Sequence, residues 1–175
     1  MTDTLVLAVD TSTRASIVAL GAREPLAVSR RDVQHRHGSH VLEQIDEVLE
    51  TAGRALDDVD ALAVGTGPGS FTGLRIGASA VQGLAYTAGL PAIPVSTLAL
   101  QAQTALRLGL VNRDEVVLSM LDARINEVYY ALCGFTRGVA EVQQGPVACG
   151  AASVAVDASV TSMAAVGSGC RFFEE

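Results

Sequence analysis

A basic patch, an acidic or basic low-complexity tail and a long hydrophobic run are all missing from this chain of 175 residues. The formal charge is -7 and the sequence pI is near 4.9. Such a chain repels phosphate backbones, which excludes gripping nucleic acid by its own electrostatics. Cysteine is scarce. Cys133, Cys149 and Cys170 are odd in number and lack CxxC spacing, so they read as free thiols in a reducing cytoplasm rather than as a disulfide framework. The start, MTDTLVLAVD, has no basic region and no cleavage-like site, unlike a signal peptide. Residues 76–106 carry no charge, but Gln82, Gly89, Pro91, Pro94, Gln101 and Gln103 interrupt them. No apolar run approaches the ~20 residues of a membrane span, so no membrane association is expected. The stretch reads instead as a buried helix, a turn and a buried strand.

What is present is core. Hydrophobic residues make up 49% of the chain, enough for one domain or two small ones. "TLVLAVD", the turn "TSTRA" and "SIVALG" predict a β-hairpin. "PLAVSRRDVQ" predicts a third, more polar strand near a sheet edge. Ser39 is placed to cap a helix with Val41, Leu42, Ile45, Val48, Leu49 and Ala52 at 3.6-residue spacing, stopped by Gly53. "ALAVG" is a buried strand, residues 72–88 a second helix and "PAIPV" a short strand. The predicted order is β-β-β-α-β-α-β.

The second half begins in the same way. "LAVDTSTRASIVAL" is matched by "SMLDARINEVYYAL", with Asp10 and Asp122 each following an apolar strand and preceding a five-residue turn. "LAVGTG" at 62–67 is echoed by "AAVGSG" at 164–169. Two matches in one order point to a duplicated unit, with a first domain over 1–100 and a second over 101–175. The helix and strand that follow the glycine turn in the first copy have no counterpart in the second, so the second domain is expected to be incomplete.

The stretch "GTGPGSFTGLRIG", residues 65–77, follows a strand and opens a helix, the place where backbone N–H groups bind anions. Its spacing fails the phosphate motifs. A GxGxxG fingerprint from Gly65 needs glycine at Ser70, and a P-loop needs a lysine that the stretch lacks. Gly67, Pro68 and Gly69 therefore read as a sharp strand-to-helix turn. Gly73, Gly77, Ala78 and Ala80 read as a thin helix face for close packing. Arg75 stands in the first turns of that helix, where the helix dipole opposes it unless it meets an acidic partner or an anion. "QHRHGSHV" holds His35, His37 and His40 at spacings that miss the i, i+4 pair of a helical metal site, with no acid among them. It reads as a solvated loop, and no metal site is expected. No Ser-His-Asp or Cys-His arrangement is recognisable.

"LAVDTST" with "SIVAL", "ALAVGTGPGSFTGLRIG" and "LDARINEVYYAL" resemble the TsaB (YeaZ) family, from about residue 5 to 135 and faintly on to "AVGSG". The resemblance implies an α/β fold of duplicated ribonuclease-H-like domains, that of the actin/hexokinase/Hsp70-like superfamily, with mixed sheets and flanking helices. It also implies a cytoplasmic, non-catalytic subunit for tRNA modification. The partner is the homologous enzyme TsaD, which moves a threonylcarbamoyl group onto the adenosine next to the anticodon. A small ATPase, TsaE, joins the assembly, and tRNA is reached only through the complex. TsaD carries an HxxxH metal motif that this chain lacks. In actin-like ATPases an Asp in the first hairpin turn serves phosphate and metal. Asp10, Thr11, Ser12 and Thr13 stand there as a vestigial phosphate loop, or as a hairpin turn bonded to its own backbone. No cofactor is expected of this chain alone, and ATP or ADP is left to the assembled complex. The alternatives are a stand-alone ATP-binding phosphotransferase or ATPase of the same superfamily, and a metallopeptidase.

The two helices of the first domain carry more apolar positions than one core stripe needs. Val41, Leu42, Ile45, Leu49, Gly73, Arg75, Gly77, Ala80 and Leu84 are the expected interface, with the small residues admitting a partner helix. That partner is TsaD or, in its absence, a second copy of this chain.

Overall fold

Leu7 and Val9 alternate with half-buried neighbours along β1 (Val6–Asp10), and Val18 and Leu20 do so along β2 (Ala15–Gly21). That period of two buries one side of a sheet. The computed structural model describes residues 3–32, 40–156 and 162–173. The chain divides into two units, Met1–Val95 and Ser96–Glu175.

The first unit adds β3 (Pro25–Asp32), α1 (Val41–Ala52), β4 (Ala61–Gly65), α2 (Phe71–Ala88) and β5 (Ala92–Val95). Its five strands lie in the order β3-β2-β1-β4-β5. β1 pairs antiparallel with β2 (Val9 opposite Val18) and parallel with β4 (Val9 opposite Val64). β3 is an edge, as its polar alternation predicts. Both helices close over one core: Val41, Ile45 and Val48 of α1 and Val81 of α2 meet Leu7, Val9, Val18, Leu20 and Leu62. Gly53 ends α1 in the left-handed region at φ 62°, and Gly89 ends α2 at φ 68°; only glycine takes that conformation freely. The residue at the N-terminus of α1 is His40, which caps with no side-chain hydrogen bond. Ser39, the expected cap, lies outside the described residues.

The second unit holds α3 (Thr97–Arg107), β6 (Val116–Arg124), β7 (Glu127–Thr136), β8 (Val139–Gly150) and β9 (Met163–Val166). The sheet order is β8-β7-β6-β9, with β6 and β9 parallel. It repeats the order of the first four strands of the first unit, and β9 takes the place of β4. Alternate residues of β6 and β7 enter two different cores. Val117, Leu121, Ala131 and Cys133 meet Leu98, Ala102 and Ala105 of α3. Leu118, Met120, Val128, Tyr130 and Leu132 meet Val154, Cys170 and Phe172. Burial pushes the Cys133 thiol up to about 11, because a thiolate there would lose its hydration.

Helix α3 and strand β8 are absent from the sequence expectation. Gln101 and Gln103 break the apolar pattern of α3 because they are pins. The Ser119 hydroxyl donates to Gln101 Oε1 (2.8 Å), the Ala140 N–H donates to Gln103 Oε1 (2.7 Å), and Gln103 Nε2 donates to the Gly138 carbonyl (3.2 Å). A boundary at residue 100 would cut α3; the two units divide ahead of it.

Candidate functional site

The hairpin turn after β1 and the glycine stretch before α2 form one structure. Asp10 Oδ1 accepts the Ser12 N–H at 2.8 Å, an Asx turn. The Thr11 hydroxyl donates to the Gly73 carbonyl (2.7 Å), and the Ser70 N–H donates to the Ser12 carbonyl (2.6 Å). Thr11 and Ser12 are each 1% exposed. The glycines make this closeness feasible. A Cβ on Gly69 would strike the Ser12 carbonyl, and one on Gly73 the Thr11 carbonyl. One on Gly77 would lie 2.5 Å from Thr11 Oγ1, and one on Gly65 2.6 Å from Asp10 Oδ1. Gly65, Gly69, Gly73 and Gly77 thus admit the chain's own hairpin turn.

Several groups of the four turn residues are engaged. The Ser12 amide is held by Asp10, the Thr11 hydroxyl by Gly73, and the Ala15 amide by Thr13 Oγ1 at 3.4 Å. The Ser12 hydroxyl is buried without a hydrogen-bond partner among the described residues. Of these groups, the Thr11 hydroxyl and the Ser12 carbonyl are turned to α2 and the turn before it. The second unit repeats the device, since Asp122 Oδ1 accepts the Arg124 N–H at 2.8 Å. Its turn is tighter than the five residues expected. Arg124, Ile125 and Asn126 take positive φ of 71°, 52° and 61°, and Arg171 holds Asp122 Oδ2 at 2.7 Å.

The other candidate lies on the helices. The N-terminal halves of α1 and α2 leave a groove of about 530 Å³ lined by Val41, Leu42, Phe71, Thr72, Arg75, Ile76, Ser79 and Ala80. Of the nine expected interface residues, Val41, Ile45, Gly73 and Gly77 are buried in the first unit. Leu49, Ala80 and Leu84 are half-buried against its core. Leu42 is 57% exposed, and Arg75 is exposed. Sequence reasoning missed Phe71, 68% exposed at the start of α2; its signal was an aromatic residue one turn before the single charge of that helix. The Arg75 guanidinium sits over the Phe71 ring, 3.9 Å from the centroid. Among the described residues Arg75 meets this ring and no acidic side chain.

The outer side of α1 is acidic. Arg31 bridges Glu43 (3.0 Å) and Glu47 (2.9 Å), and His40 Nδ1 lies 3.3 Å from Glu43. His40 and then Arg31 hold the Glu43 carboxyl below its ordinary range, while the Ser29 hydroxyl and Arg31 do so for Glu47. These exposed pairs orient side chains more than they stabilise the fold. His35 and His37 lie outside the described residues. Among the described residues no three His, Cys, Asp or Glu side chains come together as a metal site, and no helix is long and apolar enough to cross a membrane.

Comparison with known proteins agrees with this architecture. Residues 28–158 match the model of the family described as TsaD, tRNA N6-adenosine threonylcarbamoyltransferase. The chain is 47% identical to the tRNA threonylcarbamoyladenosine biosynthesis protein TsaB of Haemophilus influenzae, over 75% of this chain and 54% of that one. The structure of YeaZ from Pseudomonas aeruginosa superposes with a TM-score of 0.89 at 34% identity, over 97% of this chain and 78% of that one. The chain belongs to the TsaB (YeaZ) family. An N-acetylmannosamine-kinase-like protein from Listeria monocytogenes shares the fold alone, with 14% identity and a TM-score of 0.51 over 82% of this chain and 50% of that one. The fold is thus the duplicated actin-like one, and the TsaB relatives place the family in tRNA threonylcarbamoyladenosine biosynthesis. This TsaB-family chain spans about half the length of the curated relatives it matches.

Proposed function

We propose that this chain is a non-catalytic subunit of the threonylcarbamoyl-transferring assembly and acts by docking on TsaD through the exposed side of α1 and α2. The observation that carries the reading is the groove between those helices, with Leu42 and Phe71 exposed at its rim. Large apolar side chains around a preformed groove are what a partner's side chain can cover with gain of hydrophobic free energy. The hairpin turn supports the non-catalytic role, because its Thr11 hydroxyl and Ser12 amide hold the fold together rather than a substrate. The charge of -7 supports tRNA binding through the complex rather than by this chain. On this reading TsaE joins the assembly, and a second copy of the chain takes the face when TsaD is absent.

Leu42→Arg tests the reading. The side chain is 57% exposed, so the variant is expected to fold with an unchanged melting midpoint. Its association with a TsaD-like subunit, measured by calorimetric titration, is expected to weaken ~30-fold, the scale of a buried hot-spot side chain. Unchanged affinity in a folded variant would remove this face from the interface.

A further inference from the structure

Arg75 is the single charged residue of α2. It stands one turn into the helix, where the positive end of the dipole repels it. Among the described residues it makes no ion pair; its recorded contact is the Phe71 ring. Acids are close in the sequence of the neighbouring helix: α1 carries Glu43, Asp46, Glu47 and Glu50 and no basic residue. Glu43 and Glu47 belong to Arg31. The structure thus keeps a cation at the rim of an apolar groove, over an exposed ring, while Glu43 and Glu47 are held by Arg31. A guanidinium lying over an aromatic face still has N–H donors for a planar, bidentate acceptor.

We infer that Arg75, positioned by Phe71, is the polar specificity anchor of the docking face and receives a carboxylate from the partner protein. The inference rests on the docking role proposed above. The occupant it defines is a partner helix that places an apolar side chain in the groove and an Asp or Glu beside Arg75. The acidic α1 fixes the register, because the same carboxylate shifted toward Asp46 or Glu50 would meet like charge. One cation flanked by an acidic helix therefore reads the partner's orientation as well as its charge.

The test is titration of the intact chain with a TsaD-like subunit at low and high salt. The variants are Arg75→Ala, Arg75→Lys and Arg75→Glu, with Leu42→Arg in parallel and melting midpoints recorded for each. Arg75→Ala is expected to bind ~10-fold more weakly and to lose most of the salt dependence; Arg75→Glu is expected to bind ~100-fold more weakly, and Arg75→Lys to recover part of the loss. If Leu42→Arg weakens binding while Arg75→Ala stays within about twofold, the anchor is wrong and the face stands. If neither variant weakens binding, the face itself is wrong. Equal losses for Ala and Lys with unchanged salt dependence would make Arg75 a packing residue and overturn the proposal. So would a loss of tRNA retention in Arg75→Ala without loss of protein association, since the cation would then serve a phosphate.

Discussion

Alanine at Gly73 is expected to destabilise the first unit by about 3–4 kcal/mol, at the upper end of what overpacking costs. The added methyl would sit on the Thr11 carbonyl, a backbone group that a rotamer change cannot move. Relief requires α2 to retreat from the hairpin turn. That movement breaks the Thr11–Gly73 and Ser70–Ser12 hydrogen bonds together. A change of this size lowers the melting midpoint by ~10 °C in a chain of this length. Gly83 is the internal control. It lies in the same helix with nothing within 4 Å of an added Cβ, so Gly83→Ala is expected to stabilise by up to about 1 kcal/mol through helix propensity. Thermal unfolding of both variants decides the matter. Equal, small effects of either sign would show that the glycine face does not lock the turn.

Leucine at Gln44 is the second large effect. Gln44 is fully buried in α1. It accepts from the Ser16 hydroxyl at 2.6 Å and donates to the Ser16 and Ser29 carbonyls at 3.2 and 3.3 Å. These bonds fasten α1 to two strands at once. Leucine keeps the volume but leaves the buried Ser16 hydroxyl without its acceptor, which costs about 2–3 kcal/mol. Adding Ser16→Ala removes the stranded group, so the double variant is expected to recover at least ~1 kcal/mol relative to additivity. Denaturant unfolding of the two single variants and the double reads this coupling directly. Strict additivity would mean that the pair contributes nothing as a pair.

Much of the frame is legible in the residues. The matching Asp10 and Asp122 segments mark two hairpins, and each aspartate closes its turn on the amide two residues later. The first-unit order follows from period-2 and period-3.6 patterns bounded by glycine. Helix α3 is not legible, because its glutamines are buried-face pins that look like interruptions. Nor is β8, a strand with most residues exposed, which lacks the apolar alternation of a half-buried strand. The site is legible only in part. Helical spacing identifies the apolar residues of α1 but not which side each takes: Val41 and Ile45 go to the core, and Leu42, one position from Val41, stays outside. Gly73 and Gly77 of α2 signal close approach without saying what approaches. Only the fold shows that it is the chain's own turn.

Amide hydrogen exchange of this chain, with and without a TsaD-like subunit, tests the central claim most directly. Docking through the helical face predicts slowed exchange within residues 41–52 and 71–88, strongest around the N-terminal halves that line the groove, with the β6–β7 hairpin little changed. Exchange slowed only within residues 116–150, with α1 and α2 as fast as in the free chain, would contradict it.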